Sequence, residues 1–309
     1  MVIGAGVIGI EMAGALKQQG MEVTLVEYAD SISTALADME FSQKIIELLE
    51  EKGIRVLFKS AVSKIEDLEN GQKNIFIENA GKKETLVAEV VVVAVGVKPN
   101  LDVLEGSGIA VTERGIVVDS KMRTNISNVY ACGDCCQPLS AITGEAISSA
   151  LASSAIQQSK IVGFQIAGFP IKFNGSTGAF AFQALGKEYA GVGLTETEAR
   201  KKFKWVITGK AVTTDVYKDL TIAKELEVKL IFAGPKMRLV GYEAFGNGVI
   251  ASAEVASFAI GLKLNILKML RFNYIAHPSM TPWPFMNPII MATEDAMGKI
   301  MEKVKGFFN

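Results

Sequence analysis

Short apolar runs alternate with stretches of helical period over the first sixty residues. Residues 1–3 predict the end of a strand, residues 4–19 a glycine-rich turn entering a helix, and Gly20 a left-handed cap closing it. Residues 21–27 (MEVTLVE) predict a second strand. Asp38 predicts the cap of a helix running to Lys52, with Ile45, Ile46, Leu48 and Leu49 as its apolar face and Gly53 as its stop. Residues 54–59 return as a strand, which completes a βαβαβ half-unit. Between 62 and 97 the pattern becomes strands with turn signals at Asn70-Gly71 and Asn79-Ala80-Gly81, a β-meander ending in the continuous apolar run 90–95 that a doubly covered strand requires.

A break at Gly96-Val97-Lys98-Pro99-Asn100 predicts a crossover. After it come a strand at Gly115-Ile116-Val117-Val118-Asp119, the segment 124–134 (TNISNVYACGD), and a small-residue helix over about 146–167 that Gly168-Phe169-Pro170 stops. From about Ile171 the pattern is α+β, with strands at 189–194, 205–213, 228–233 and 238–244 and helices at 195–202 and 252–262. No fixed repeat or low-complexity linker separates the regions, so they are expected to pack together.

Composition narrows the partners. A chain of 309 residues exceeds one ordinary core and predicts two domains, or one with an insertion. Lys+Arg 32 against Asp+Glu 33 leaves no positive excess to hold nucleic acid or an anionic membrane. The apolar fraction of 49% is more than such a chain needs alone, and burial in an oligomer would explain the surplus. No stretch predicts a membrane span: Glu89 interrupts 86–97, and Glu254, Lys263 and Lys268 interrupt 249–270. The N-terminus lacks a basic region and reads as mature structure, not a signal peptide. Three cysteines within five positions, Cys132, Cys135 and Cys136, are too few and too local for a disulfide framework and point to a reducing cytoplasm.

The candidate chemistry begins at Gly4-Ala5-Gly6-Val7-Ile8-Gly9, between a strand and a helix, with Glu27 closing the next strand. Gly4 permits the tight turn, Gly6 lets a diphosphate approach the backbone, and Gly9 lets helix and strand pack, while the helix N-terminus faces the phosphates. Glu27 is placed to accept from both ribose hydroxyls and to repel a 2′-phosphate, which favours NAD(H) over NADP(H). Cys132 and Cys135 have C-x-x-C spacing, open to a redox pair or metal ligands; the preferred reading is small packed thiols and no metal site, since the chain has one histidine.

Four segments in one order carry a resemblance: Gly4 to Glu11 as GxGxxGxE, residues 95–100 as VGVKPN, the T-x-x-x-x-x-Y-A-x-G-D pattern of 124–134, and 151–168 (LASSAIQQSKIVGFQIAG). Together they resemble the FAD-dependent pyridine nucleotide-disulfide oxidoreductases, within them the NADH oxidase and coenzyme A-disulfide reductase branch, whose dimerisation domain also has a GLTExEA-like stretch, here 193–199. The resemblance implies an α/β chain: a Rossmann-like NAD domain with β-meander at 1–96, the C-terminal half of an FAD domain at 97–169, and an α+β dimerisation domain at 171–309. It implies NAD(H) at Gly4, Gly6, Gly9, Glu11, Glu27 and Gly96. FAD would lie at Thr124, Gly133 and Asp134, with Asp134 on its ribityl chain, and Ala152 and Ala155 would start a helix aimed at the flavin. His277, in Ala276-His277-Pro278-Ser279, resembles the family's acid–base histidine that serves a partner subunit's thiol, with Pro282 where its carboxylate usually stands. The loop 282–288 (PWPFMNP) fits a flavin cover, an interface or simple packing.

The family's first FAD loop and redox cysteine precede these segments and have no counterpart in the 309 residues. The flavin site is therefore expected to be incomplete and the chain N-terminally truncated, through a wrongly placed start, a split gene whose partner chain supplies the missing half, or as a remnant. The implied activity is hydride transfer from NADH to FAD and on to oxygen, a disulfide or a polysulfide, by a homodimer. A nucleotide-binding dimeric subunit without flavin is the rival.

Overall fold

A computed structural model describes residues 1–33, 35–79 and 81–308. The chain opens with β1 (Val2–Ile3), α1 (Val7–Gln18), β2 (Thr24–Val26), α2 (Met39–Glu51) and β3 (Arg55–Leu57). Gly20 and Gly53 follow the two helices at φ 83° and 76°, the left-handed backbone that ends a helix at little cost when no Cβ is present. Ile10 and Ala13 of α1 and Phe41, Ile45 and Leu49 of α2 are buried, as residues three and four apart on one face should be. Next comes the expected meander of β4 (Ser60–Asp67), β5 (Lys73–Asn79) and β6 (Lys82–Ala88), antiparallel throughout. Gly71 turns its first hairpin; of the second predicted turn, Ala80 lies outside the described residues.

The meander returns through β7 (Val92–Val93), which lies parallel to β1 and gives the sheet order β3-β2-β1-β7. The run 90–95 was expected to be covered on both faces. Instead Val93 and Val95 are 62% and 70% exposed, because β7 is the edge strand and nothing among the described residues covers its outer side.

A small sheet of order β10-β9-β8 follows, built from β8 (Val111–Thr112), β9 (Gly115–Val117) and β10 (Cys136–Gln137). The next helix, α3 (Ala152–Ile166), begins later than the expected residue 146. The stretch before it is tied into a loop: Arg114 donates to the Ala146 carbonyl (3.0 Å), Ile147 N–H to Pro138 (3.0 Å), and the Ser149 and Ser176 hydroxyls pair (3.2 Å). Backbone spent this way is not free to start a helix.

The C-terminal unit is an antiparallel sheet of order β11-β12-β15-β14-β13 with helices on it. Its elements are β11 (Phe180–Ala184), β12 (Lys187–Gly193), α4 (Glu196–Lys202), β13 (Val206–Thr214), β14 (Glu225–Ala233), β15 (Arg238–Gly246), α5 (Val249–Gly261), α6 (Ile266–Met269) and α7 (Pro288–Phe308). The 21-residue α7 was not foreseen. Asn287 accepts from the Ile289 and Ile290 amides (3.1 and 3.2 Å), and Pro288 sits at the first helical position, where its missing N–H costs nothing. Its backbone lies directly on β13: a Cβ added to Gly209 would meet the Ala292 carbonyl oxygen at 1.7 Å.

The two ends of the chain share one core. Phe182, Ala184 and Tyr189 of β11 and β12 pack with Val2, Ile10, Leu25 and Phe41 of the N-terminal unit. Asp38 departs from expectation at this junction. It is the first residue outside α2 but makes no side-chain cap there. Its carboxylate accepts instead from the amides of Glu196 (2.7 Å) and Thr197 (3.0 Å), so it caps α4 across the boundary between units. No helix among the described residues is long and apolar enough to cross a membrane.

Candidate functional site

The carboxyl ends of β1, β2 and β7 open onto a cleft of about 760 Å³. The chain leaves β1 for β2 on one side while β7 pairs on the other, so the cleft lies where strand order reverses, the usual crevice for a nucleotide in an open α/β sheet. Gly4 takes φ 102°, and a Cβ there would stand 2.3 Å from the Ala94 carbonyl oxygen. At Gly9 a Cβ would stand 1.8 Å from the Gly4 carbonyl oxygen, so helix and turn touch backbone to backbone. Gly6 differs: its Cβ would meet nothing within 4 Å. It faces the open cleft.

Gly6 also caps α1 without a side chain, and the helix has no acidic residue in its first turn. The first intrahelical bond runs from Ile10 N–H to Gly6 (3.0 Å), so the amides of the opening turn have no acceptor within the helix. Bare amides plus the positive end of the helix dipole make a seat for a diphosphate. Glu27 follows β2 at the cleft wall. One of its oxygens accepts from Ala5 N–H in the glycine turn (2.7 Å) and the other from Ala29 N–H (2.8 Å). Two backbone bonds fix the carboxylate, and each oxygen keeps a lone pair for a hydroxyl. Gly96, at φ 99° with open space where a Cβ would be, lines the opposite side. The residues present thus fit a dinucleotide.

The sequence reading missed the rest of the wall. Tyr28, 79% exposed, fronts the cleft directly after Glu27, and Ser33 and Leu36 extend the wall toward α2. An exposed aromatic next to the ribose acid was the available signal for Tyr28. Glu11 was expected at the cofactor, but it lies on the flank of α1 turned to β11, where its carboxylate accepts from Gln183 N–H (3.3 Å).

A second group of predicted residues lies at the start of α3. Gly133 turns at φ 84°, its N–H bonded to the buried Gln158 side chain (2.7 Å). Asp134 beside it is exposed, and no hydrogen bond to its carboxylate is formed among the described residues. Helix α3 has no side-chain cap, Ala152 and Ala155 begin it, and Gln158 is its one buried residue. An unengaged acceptor beside a bare helix start suits the hydroxyls and the electron-rich edge of a flavin. Thr124 differs from expectation, because its hydroxyl bonds the Val129 carbonyl (3.0 Å) and accepts from Ile126 N–H (3.1 Å). It shapes the 124–129 turn and is not turned outward.

The cysteines are free thiols. Burial, with Cys135 and Cys132 nearby, pushes the Cys136 thiol up to about 12, and burial raises Cys135 as well, so neither is a thiolate nucleophile at neutral pH. Among the described residues no cluster of potential ligands suits a metal ion. His277 is exposed on the C-terminal unit, its Nδ1 3.2 Å from the Ser279 hydroxyl, with no carboxylate bonded to the ring among the described residues. The structure does not bring it to the cleft or to the Gly133 turn.

Two family models match the chain. Pyridine nucleotide-disulphide oxidoreductase covers residues 1–159, and the dimerisation domain of the same family covers 181–284. An NADH oxidase of Methanocaldococcus jannaschii is 30% identical over 98% of this chain and 66% of its own length. An NAD(P)H sulfur oxidoreductase (CoA-dependent) of Pyrococcus abyssi is 31% identical over 83% of this chain and 56% of its own. The solved NAD-dependent persulfide reductase from A. fulgidus superposes with a TM-score of 0.88 at 31% identity, over 97% of this chain and 55% of that one. The chain thus spans roughly half to two thirds of the relatives it matches. The glycine turn, the acid that closes β2 and the sheet behind them are those of a pyridine nucleotide-disulphide oxidoreductase, and the chain belongs to that family.

Proposed function

We propose that the cleft binds NADH and that the chain forms the pyridine-nucleotide and dimer-forming parts of an NADH-dependent flavoprotein oxidoreductase. One observation carries this reading: Glu27 is bonded through Ala5 to the glycine turn, so the ribose acceptor and the diphosphate seat form one rigid unit. The amides that open α1 hold the diphosphate, Glu27 accepts from the ribose hydroxyls, and Gly96 leaves room beside them. Residues 1–96 serve as the NAD domain, 97–169 as the C-terminal half of an FAD domain and 171–309 as a dimerisation domain.

Bound FAD would supply the chemistry that takes a hydride from nicotinamide and hands an electron pair to oxygen, a disulfide or a polysulfide. Toward it, Asp134 accepts from ribityl hydroxyls, Gly133, Ala152 and Ala155 leave space, and the start of α3 favours negative charge. The loop that holds the ADP half of FAD and a redox cysteine are proposed to come from a separate chain. His277 is assigned an acid–base part in the other subunit of a cytoplasmic homodimer. Relatives that are an NADH oxidase and a CoA-dependent sulfur oxidoreductase support this class.

Protein reconstituted with FAD is expected to lose its oxidised-flavin absorbance on addition of NADH. Colourless protein that still binds NADH would favour a nucleotide-binding subunit without flavin, and protein that binds neither would end the reading. Glu27→Ala removes the repulsion of a 2′-phosphate and one ribose acceptor. It is expected to lower the preference for NADH over NADPH by about 10-fold or more, read from the two dissociation constants.

A further inference from the structure

The wall of the cleft beyond Glu27 is held from outside the N-terminal unit. Leu36 lines that wall, and its carbonyl accepts from the Tyr189 hydroxyl of β12 (2.9 Å). Two residues on, Asp38 N–H donates to a Glu243 carboxyl oxygen of β15 (2.7 Å), which also accepts from Tyr189 (2.9 Å). The Asp38 carboxylate lies 2.9 Å from Lys229 Nζ of β14. All four groups are buried: Tyr189, Glu243, Lys229 and Asp38 expose 0%, 1%, 2% and 4% of their surface. Buried polar groups bonded to one another and to backbone fix a segment far more firmly than surface contacts do.

We propose that Tyr189, Glu243 and Lys229 are positioning residues for the dinucleotide: they hold residues 36–38 against the C-terminal unit, so that cofactor affinity depends on this junction. The inference rests on the NADH reading of the cleft. Tyr189 and Glu243 do not touch the cofactor; they act through Leu36 and Asp38.

Protonation of Glu243 adds a signature that simple loss of stability does not share. Burial, then the neighbouring Asp38, raises its carboxyl to about 8. The groups facing it are Asp38 before α2, Lys229 on β14 and Tyr189 on β12; Lys229 in turn pairs with Glu40 of α2 and Glu196 of α4, with which Lys210 of β13 and Arg200 of α4 also pair. Below about 8 Glu243 is protonated and neutral beside Asp38; above it a second buried negative charge stands beside Asp38 and pushes 36–38 away. Gln at 243 keeps the acceptor for the Asp38 amide and the Tyr189 hydroxyl, and it cannot ionise.

The test is NADH titration of the wild type, Tyr189→Phe, Glu243→Leu and Glu243→Gln from neutral to alkaline pH, with hydrogen exchange of the Asp38 amide measured in each. Tyr189→Phe keeps the ring in the core and is expected to raise the Kd for NADH about 10-fold and to speed Asp38 exchange. Glu243→Leu should do the same. The wild type should lose affinity as pH rises through about 8, and Glu243→Gln should bind NADH with wild-type affinity at neutral pH and lose none at alkaline pH. Unchanged NADH affinity in Tyr189→Phe and Glu243→Leu, with the Asp38 amide exposed, would overturn the proposal; so would a Glu243→Gln profile that falls like the wild type's. A wild type that fails to bind NADH would instead refute the cofactor reading of the cleft, and the inference with it.

Discussion

Gly6→Val is expected to leave the fold intact and to abolish dinucleotide binding. At Gly6 the backbone has φ −80° and ψ −176°, extended geometry that valine adopts readily, and the added Cβ meets no protein atom within 4 Å. Stability, read as the thermal midpoint, should therefore barely change. The space the valine fills is where a diphosphate must approach the amides of α1, and a branched side chain there holds the phosphates out of hydrogen-bond range. Losing two or more charge-assisted bonds costs about 3 kcal/mol or more, so the Kd for NADH should rise by at least about 100-fold. Gly9→Ala gives the contrast. Its Cβ would overlap the Gly4 carbonyl oxygen at 1.8 Å, so stability and binding should fall together. A Gly6→Val protein that binds NADH normally would mean the glycine turn does not receive the cofactor.

The second large effect belongs to the junction between units. Lys229 Nζ, itself buried, lies 2.9 Å from both Asp38 and Glu196 and 2.7 Å from Glu40 and offsets three carboxylates, of which Asp38 is buried and the other two are partly exposed. Burial alone would make the lysine a weaker base, but its bonds to Glu40, Glu196 and Asp38 outweigh burial, so it stays charged. Asp38 and Glu40 likewise remain ionised, since their hydrogen-bonded partners outweigh the effect of burial. Lys229→Met fills similar volume and removes the one positive charge that all three share. Breaking a buried pair in this way leaves uncompensated charge, and the expected loss is about 3–5 kcal/mol in chemical denaturation at neutral pH. Below the folded-state pKa values of those carboxylates the deficit should shrink, because protonated acids no longer need the lysine. A loss under about 1 kcal/mol, the scale of an exposed pair, would show that the cluster is solvated and does not hold the units together.

What could be read from the sequence follows the range of the interactions. The glycine turn, α1 and the acid after β2 are legible because their chemistry lies within one βαβ unit of fewer than thirty residues, where each glycine answers a local steric demand. The meander was legible from its alternation and its Gly71 turn. Asp38 was misread for the opposite reason. An Asp before a helix looks like that helix's cap, and only the folded chain shows that the amides of Glu196 and Thr197, nearly 160 positions away, take its carboxylate. Glu11 and Thr124 carry motif positions, yet Glu11 answers to β11 and Thr124 to its own turn. The helix α7 did announce itself, in Asn287 followed by Pro288, but the aromatic and proline residues just before it made the whole segment read as a loop. Tyr189 and Glu243 gave no signal at all: in a strand they look like ordinary alternation, and their partners come from another unit.

The most direct test of the cofactor account is a crystal structure of the protein with NADH. The account predicts the diphosphate on the Val7 and Ile8 amides at the start of α1 and the adenosine ribose hydroxyls on Glu27, with Glu27 still bonded to Ala5. Density for NADH elsewhere, or a ribose that ignores Glu27, would contradict it.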